Sequence, residues 1–270
     1  VNRSTRSKAI KARILTAIVL IPLVLAGIFY LPPAGILGVG LVLGLLAGLE
    51  WAELIHIHRG GRLVFALLIV GLTAVLTGLQ PAAVAAAALV WWLLVLAEIP
   101  VFWSQSDEPV FRAANGLAGV ATLAPALALL VVLVRDQPWA AVTVLVAVWA
   151  ADIGAYAVGS LWGRHRMVPH VSPGKTWEGL LGGVLLGAVA AGAMAWALPA
   201  LGAVPVLAAV GALVAVVGQV GDLSESMVKR RAGRKDSGRF LPGHGGILDR
   251  IDSLTAAVPV YVLCLRGVGL

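Results

Sequence analysis

The sequence predicts an all-α integral membrane protein of about nine transmembrane helices, with its N-terminus in the cytoplasm and its C-terminus on the opposite side. Three observations predict it. Hydrophobic residues make up 60% of the 270 and charged residues only 12%, at a mean hydropathy of +0.97, whereas a soluble domain carries about a quarter charged residues. Apolar stretches of bilayer-crossing length, roughly 17–25 residues each, recur along the whole chain. The charges between them fall almost entirely on alternate connections, as the positive-inside rule requires.

The first stretch covers 14–31 and follows a basic start with Arg3, Arg6, Lys8, Lys11 and Arg13. It lacks an Ala-x-Ala exit and is expected to be an uncleaved anchor rather than a signal peptide. The next four cover 34–55, 63–79, 82–102 and 117–134, and the remaining four cover 139–161, 180–198, 204–220 and 251–268. Proline-bearing turns separate them at Leu31-Pro32-Pro33, Gln80-Pro81, Asp136-Gln137-Pro138 and Leu198-Pro199. With the N-terminus inside, all of the 20 Lys and Arg residues except Arg135 and Arg266 lie at cytoplasmic ends. No internal repeat interrupts the pattern, and short loops favour one polytopic domain over 1–270. Small residues at fourfold spacing, Gly40/Gly44/Gly48 and Gly179/Gly183/Gly187, allow close helix approach, within one bundle or between subunits.

Composition also excludes several classes. The single cysteine, Cys264, rules out an intramolecular disulfide and a cysteine-based metal site. The net charge of +7 is accounted for by cytoplasmic loops near anionic lipid. No RNA- or DNA-binding pattern breaks the apolar spans, so no nucleic-acid partner is expected.

The acids follow the bases: of the 13 Asp and Glu residues only Asp136 falls outside. Asp152 lies within the sixth span, in Val148-Trp149-Ala150-Ala151-Asp152-Ile153-Gly154. An intramembrane carboxylate costs several kcal/mol unless paired or wetted, which makes a functional role the default and a bond to a neighbouring helix the alternative. Glu50 and Glu53, near the inner end of the second span, and Glu98, near that of the fourth, read as interfacial or snorkelling groups.

The densest chemistry runs from Gly221 to Asp252. Asp222 and Glu225 are three apart and would share a helix face, as would Asp249 and Asp252. Two acidic pairs at two helix ends on the same side could converge on a hard cation. Magnesium takes a few carboxylate oxygens and substrate phosphates. Between the pairs lie Lys229, Arg230, Arg231, Arg234, Lys235 and Arg239, enough cations for a triphosphate and a second anionic head group. Gly243, Gly245 and Gly246 bracket His244 and permit tight turns.

The run Ser226-x-x-Lys229-Arg230, then Lys235-Asp236, then His244-Gly245-Gly246-x-x-Asp249-Arg250-x-Asp252 closely resembles the C-terminal signature of phosphatidate cytidylyltransferases. A second block, Ser172-Pro173-Gly174-Lys175-Thr176-Trp177-Glu178-Gly179, is similar to that family's Ser-Pro-Lys-Lys-Thr-x-Glu-Gly. It departs at Gly174, where a lysine is usual, which weakens one anion contact. Asp152 with Ala155-Tyr156, Gly163-Arg164 and Glu50-Trp51 also look like the family.

The resemblance implies a polytopic, usually dimeric enzyme of the cell membrane. Its N-terminal helices would span roughly 14–134, and its catalytic part roughly 139–268, with a cytoplasmic loop over 221–250. Its reaction is CTP plus phosphatidic acid giving CDP-diacylglycerol and pyrophosphate, with magnesium or another divalent cation and room for a second, monovalent one. By motif position Asp222 and Asp249 correspond to the metal-binding aspartates, with Ser224, Glu225 and Asp252 as further candidate ligands. Lys175, Lys229, Arg230, Lys235 and Arg239 are expected to hold anions, and Ser172, Thr176, Arg250 and Asp152 complete the expected substrate site. Asp222, Asp249, Lys175 and His244 form the expected catalytic set, His244 as proton shuttle or loop support.

Three rivals stand beside this reading. A Walker A motif would need a glycine where Pro169 stands. A CTP-dependent lipid or polyprenol kinase would share nucleotide and metal but release CDP. A transporter with a relay through Asp152 would move substrate without consuming CTP.

Overall fold

The computed structural model describes residues 19–101, 108–234, 236–238 and 245–267. The described residues form nine α-helices and one small hairpin. In chain order they are α1 (Val19–Tyr30), α2 (Pro33–Leu54), α3 (Arg59–Leu76), α4 (Pro81–Glu98), α5 (Glu108–Asp136) and α6 (Pro138–Trp162), then β1 (Arg166–Val168), β2 (Ser172–Thr176), α7 (Trp177–Ala197), α8 (Val204–Arg231) and α9 (Leu248–Gly267). Helices α2 to α8 contain seven stretches long and apolar enough to cross a membrane. Helix α1 is described over a shorter apolar length, and the first residues of the expected 14–31 span lie outside the described residues. Helix α9 is 20 residues long and carries Asp249, Arg250, Asp252 and Arg266. The chain is an all-α multi-pass membrane protein.

Prolines at the first turns of α2, α4, α6 and α8 start those helices where a missing N–H costs nothing. The outward faces are apolar: Leu63, Val64, Leu67 and Leu68 on α3, Val90, Leu93 and Leu94 on α4, and Leu181, Leu185 and Val189 on α7 are all exposed. Hydrocarbon is the solvent such faces need.

Inside, α6 packs on α7, α7 on α8 and α8 on α9, while α2 packs on α3 and α5. Helix α5 joins the two groups through α9, helped by α4. The glycine stripes serve this packing within the chain. Gly183 faces the Ala151 carbonyl of α6 and Gly187 the Gly211 carbonyl of α8, while Gly48 faces Ala66 of α3. The main core gathers Leu129, Val144, Leu145, Val148, Val214, Val258 and Tyr261 from α5, α6, α8 and α9. Trp51, Leu54, Ile55, Leu123, Val228 and Leu248 form a second core.

Helix α9 contains Pro259, which has no N–H to give the Thr255 carbonyl one turn earlier. The Trp92 indole N–H of α4 donates to that carbonyl at 3.2 Å instead. The group is thereby satisfied within the protein, as a membrane interior demands.

The largest differences from the sequence expectation are two helix ends and one added hairpin. Helix α8 does not end near Val220 but continues to Arg231, so the first part of the expected 221–250 loop is helical. Its charged residues keep helical spacing, with the Lys229 ammonium 3.3 Å from Glu225 at i,i+4. Helix α5 begins at Glu108 rather than near Leu117. The connection between α6 and α7 contains an antiparallel hairpin pairing Arg166 with Thr176 and Val168 with Ser172, local strand structure that an all-α reading omits.

Candidate active site

The end of α6, the hairpin, the start of α7, the end of α8 and the start of α9 meet at one end of the bundle around a polar cavity of about 300 Å³. It is lined by Asp152 and Tyr156 of α6, Lys175 and Thr176 of β2, Gln219 and Asp222 of α8, and Asp249, Asp252 and Ser253 of α9, among others.

Each acid arrives through its backbone. Asp222 sits on the helical extension of α8, where the absence of a Cβ at Gly221 lets the backbone of α9 pass at the Asp252 carbonyl. The Lys175 ammonium forms an ion pair with Asp222 Oδ2 at 2.8 Å, and the Ser226 hydroxyl donates to Asp222 Oδ1 at 3.3 Å. Thr176 ends β2 and starts α7 at once, its Oγ1 accepting the Gly179 N–H at 3.1 Å. This N-cap fixes Lys175 one residue upstream, on the cavity wall. Glu178 braces the hairpin from behind, accepting the His165 N–H and lying 2.6 Å from its Nδ1.

Asp249 is held more tightly still. Its Oδ1 is 2.8 Å from the Lys229 ammonium. Its Oδ2 accepts the Gly246 N–H at 2.8 Å, the Ser237 hydroxyl at 2.9 Å and the Ser237 N–H at 3.3 Å. Asp249 stands ahead of the apolar stretch of α9. Burial pushes its pKa up, but Lys229 and the Gly246 and Ser237 donors outweigh that and hold it below the usual carboxylate value. Lys229 and Glu225 are buried behind the cavity wall. No hydrogen bond from the described residues reaches either Glu225 oxygen, so its 3.3 Å approach to Lys229 is a charge contact.

The structure thus brings Asp152, Lys175, Thr176, Asp222, Asp249 and Asp252 to one cavity. Asp152 opens onto it and is exposed, with no side-chain hydrogen bond among the described residues. Other candidates lie elsewhere. Arg230 Nε donates to the Val171 carbonyl at 3.0 Å and Nη1 to the Arg234 carbonyl at 3.1 Å, tying the hairpin turn to the end of α8. Ser224 is buried in α8, Ser172 is half-buried on β2, and Arg250 is exposed on the first turn of α9. Lys235, Arg239 and His244 lie outside the described residues.

The three acids read as interfacial also have partners within the protein, Glu53 and Glu98 while staying partly exposed. Glu53 pairs with Arg62 at 3.2 Å and with Arg234 at 2.9 Å, and Glu98 pairs with Arg231 at 2.8 Å. Glu50 Oε1 accepts the Ile247 N–H at 3.0 Å and Oε2 the Leu248 N–H at 3.0 Å. The free N–H groups at the start of α9 thus find their acceptors in Glu50. Gln219, one turn before Asp222 on the same face, was also missed as a cavity residue, though its spacing gave the signal.

The donors suit a hard cation. No three His, Cys, Asp or Glu side chains among the described residues form a ready-made cage. Four carboxylates nevertheless line one small cavity, a sparse oxygen set of the kind a hard divalent cation can accept.

Comparison with known proteins shows the family. A phosphatidate cytidylyltransferase of Pseudomonas aeruginosa is 42% identical over 268 residues, covering 96% of this chain and 98% of that protein. Phosphatidate cytidylyltransferases of Brucella suis and Haemophilus influenzae are 46% identical over 134 residues and 44% over 122, covering 47% and 44% of this chain and 48% and 42% of theirs. The model of the cytidylyltransferase family matches residues 11–268, and with that near-complete match the chain belongs to the cytidylyltransferase family.

Proposed function

We propose that the protein is a phosphatidate cytidylyltransferase, making CDP-diacylglycerol and pyrophosphate from CTP and phosphatidic acid. One observation carries this reading beyond the family: Asp152, Lys175, Asp222, Asp249 and Asp252, drawn from four elements, line a single cavity at one end of a membrane bundle.

A phosphate oxygen of phosphatidate is already nucleophilic at neutral pH. It bonds to the α-phosphorus of CTP as the bond from that phosphorus to the bridging oxygen breaks, and pyrophosphate leaves with the electron pair. The protein's task is to bring two polyanions together and stabilise the added charge. Asp222 and Asp249 would hold a divalent cation, with Asp252 on the same cavity wall and Glu225 buried behind it. Bound there, magnesium or a similar ion neutralises the triphosphate and its leaving group. Lys175, on the cavity wall and 2.8 Å from Asp222, is placed to hold a phosphate group there. Lys229 stays behind the wall and keeps the carboxylates together when the site is empty. Arg230 holds the hairpin, and so Lys175, against α8.

The active site faces the cytoplasm, where CTP is, with the N-terminus inside and the C-terminus outside. The charge asymmetry between alternate connections supports that orientation. The enzyme works in the cell membrane as a homodimer, which the family resemblance implies.

The test is to incubate purified protein with CTP, phosphatidic acid and magnesium and to identify both products. CDP-diacylglycerol with pyrophosphate is expected. CDP release would instead indicate the lipid-kinase alternative, and absence of CDP-diacylglycerol with every divalent cation would overturn the reading.

A further inference from the structure

We infer that Glu50 of α2 is a positioning residue for the metal-binding edge of the site, capping α9 from a distant helix and so fixing the Asp249 carboxylate. This rests on the reading of Asp249 as a metal-binding group.

A helix begins with backbone N–H groups that its own carbonyls cannot reach. A local Ser, Thr, Asp or Asn usually meets them. Ahead of α9 stand Gly245, Gly246 and Ile247, none of which has a side-chain acceptor. Glu50 supplies the acceptors instead, one oxygen each to the Ile247 and Leu248 N–H groups, from 197 and 198 residues away in sequence. Its negative charge also sits at the positive end of the α9 dipole.

The link to Asp249 is direct. The Ser237 hydroxyl lies between the two carboxylates, 2.9 Å from Asp249 Oδ2 and 3.3 Å from Glu50 Oε2. Gly246, whose N–H holds Asp249 Oδ2, packs so closely that a methyl group there would overlap both Ser237 Oγ and the Glu50 carboxylate. With Oδ2 saturated by these donors, Oδ1 is the oxygen aimed at Lys229 and the one a cation can take. Glu50 does not line the cavity, and backbone donors occupy both its oxygens, so it acts through Asp249 rather than as a ligand.

The test compares Glu50→Gln, Ser237→Ala and Asp249→Asn in purified full-length protein, using manganese binding by electron paramagnetic resonance and the magnesium concentration for half-maximal activity. Glu50→Gln turns an amide NH₂ toward one of the two backbone donors. It should weaken manganese binding about 10-fold, raise the magnesium requirement in parallel and lower kcat. The KM for phosphatidate should stay within about twofold, because the lipid is not what Glu50 positions. Ser237→Ala should shift metal binding in the same direction but less, which keeps the test available if the Glu50 variant folds poorly. If the variants lower thermal stability alone, with wild-type manganese affinity in the folded protein, Glu50 is only a structural cap and the inference fails. If Asp249→Asn also binds manganese normally, the metal reading of Asp249 itself fails, and the inference with it.

Discussion

The helices before residue 137 and those after it present opposite interiors. Among the described residues, helices α6 to α9 and the hairpin supply every one that lines the polar cavity. Helices α2 to α4 supply none, and much of their surface is apolar and outward-facing. Yet Glu50, Glu53 and Glu98 of that inert half all reach across to the ends of α8 and α9 or the segment between them. The division is between chemistry and its support: one half bears the reacting groups, and the other holds them in register from the side. Such bracing keeps a site within a fraction of an ångström of productive geometry.

The largest effects should come from the reacting half. Asp222→Asn and Asp249→Asn should each lower turnover by about 100-fold or more, with CDP-diacylglycerol formation as the measurement. Near-normal magnesium-dependent turnover in either variant would break the comparison at its root. Lys175→Ala should follow with a loss of about 10- to 100-fold in kcat/KM for CTP, measured with the lipid saturating. Arg230→Met removes two bonds to carbonyls but no cavity contact, and should raise the KM for CTP about threefold as the hairpin loosens. A loss as large as that of Lys175→Ala would show that Arg230 touches substrate after all. Smallest is Glu98→Gln. Its ion pair with Arg231 is partly exposed, such pairs contribute about 0–1 kcal/mol, and activity should stay within about twofold of wild type while the melting temperature falls slightly. A large loss of activity there would mean that the supporting half does more than support.

Most of the membrane layout was legible because hydropathy and proline turns are local signals. Seven expected spans match α2 to α8 by position, with ends displaced where charge misled the reading. The stretch from Asp222 to Arg231 looks like a loop because it is polar, but its side chains pair at helical spacing and the helix runs on. The hairpin was hidden for the converse reason: its short strands exist through pairing with each other and lack a run of β-forming residues. In the site, Asp152, Lys175, Asp222, Asp249 and Asp252 were legible from charge placement and motif. Glu50 was legible as a family-like residue but not as a cap, since nothing near it in sequence announces a helix start nearly two hundred residues away. Arg230 was legible as a cation but not as a tie, because carbonyl acceptors such as that of Val171 leave no trace in sequence.

The indole that serves Pro259 has a consequence for how the chain is assembled. Helix α9 alone in a bilayer would carry a bare Thr255 carbonyl in hydrocarbon, where an unmet polar group costs several kcal/mol. Its donor, Trp92, belongs to α4, which leaves the ribosome long before α9 does. Synthesis order therefore delivers the donor before the need arises, and α9 gains a reason to dock against α4 at one depth. A proline that would disfavour insertion in isolation becomes a registration mark read by a helix already in place.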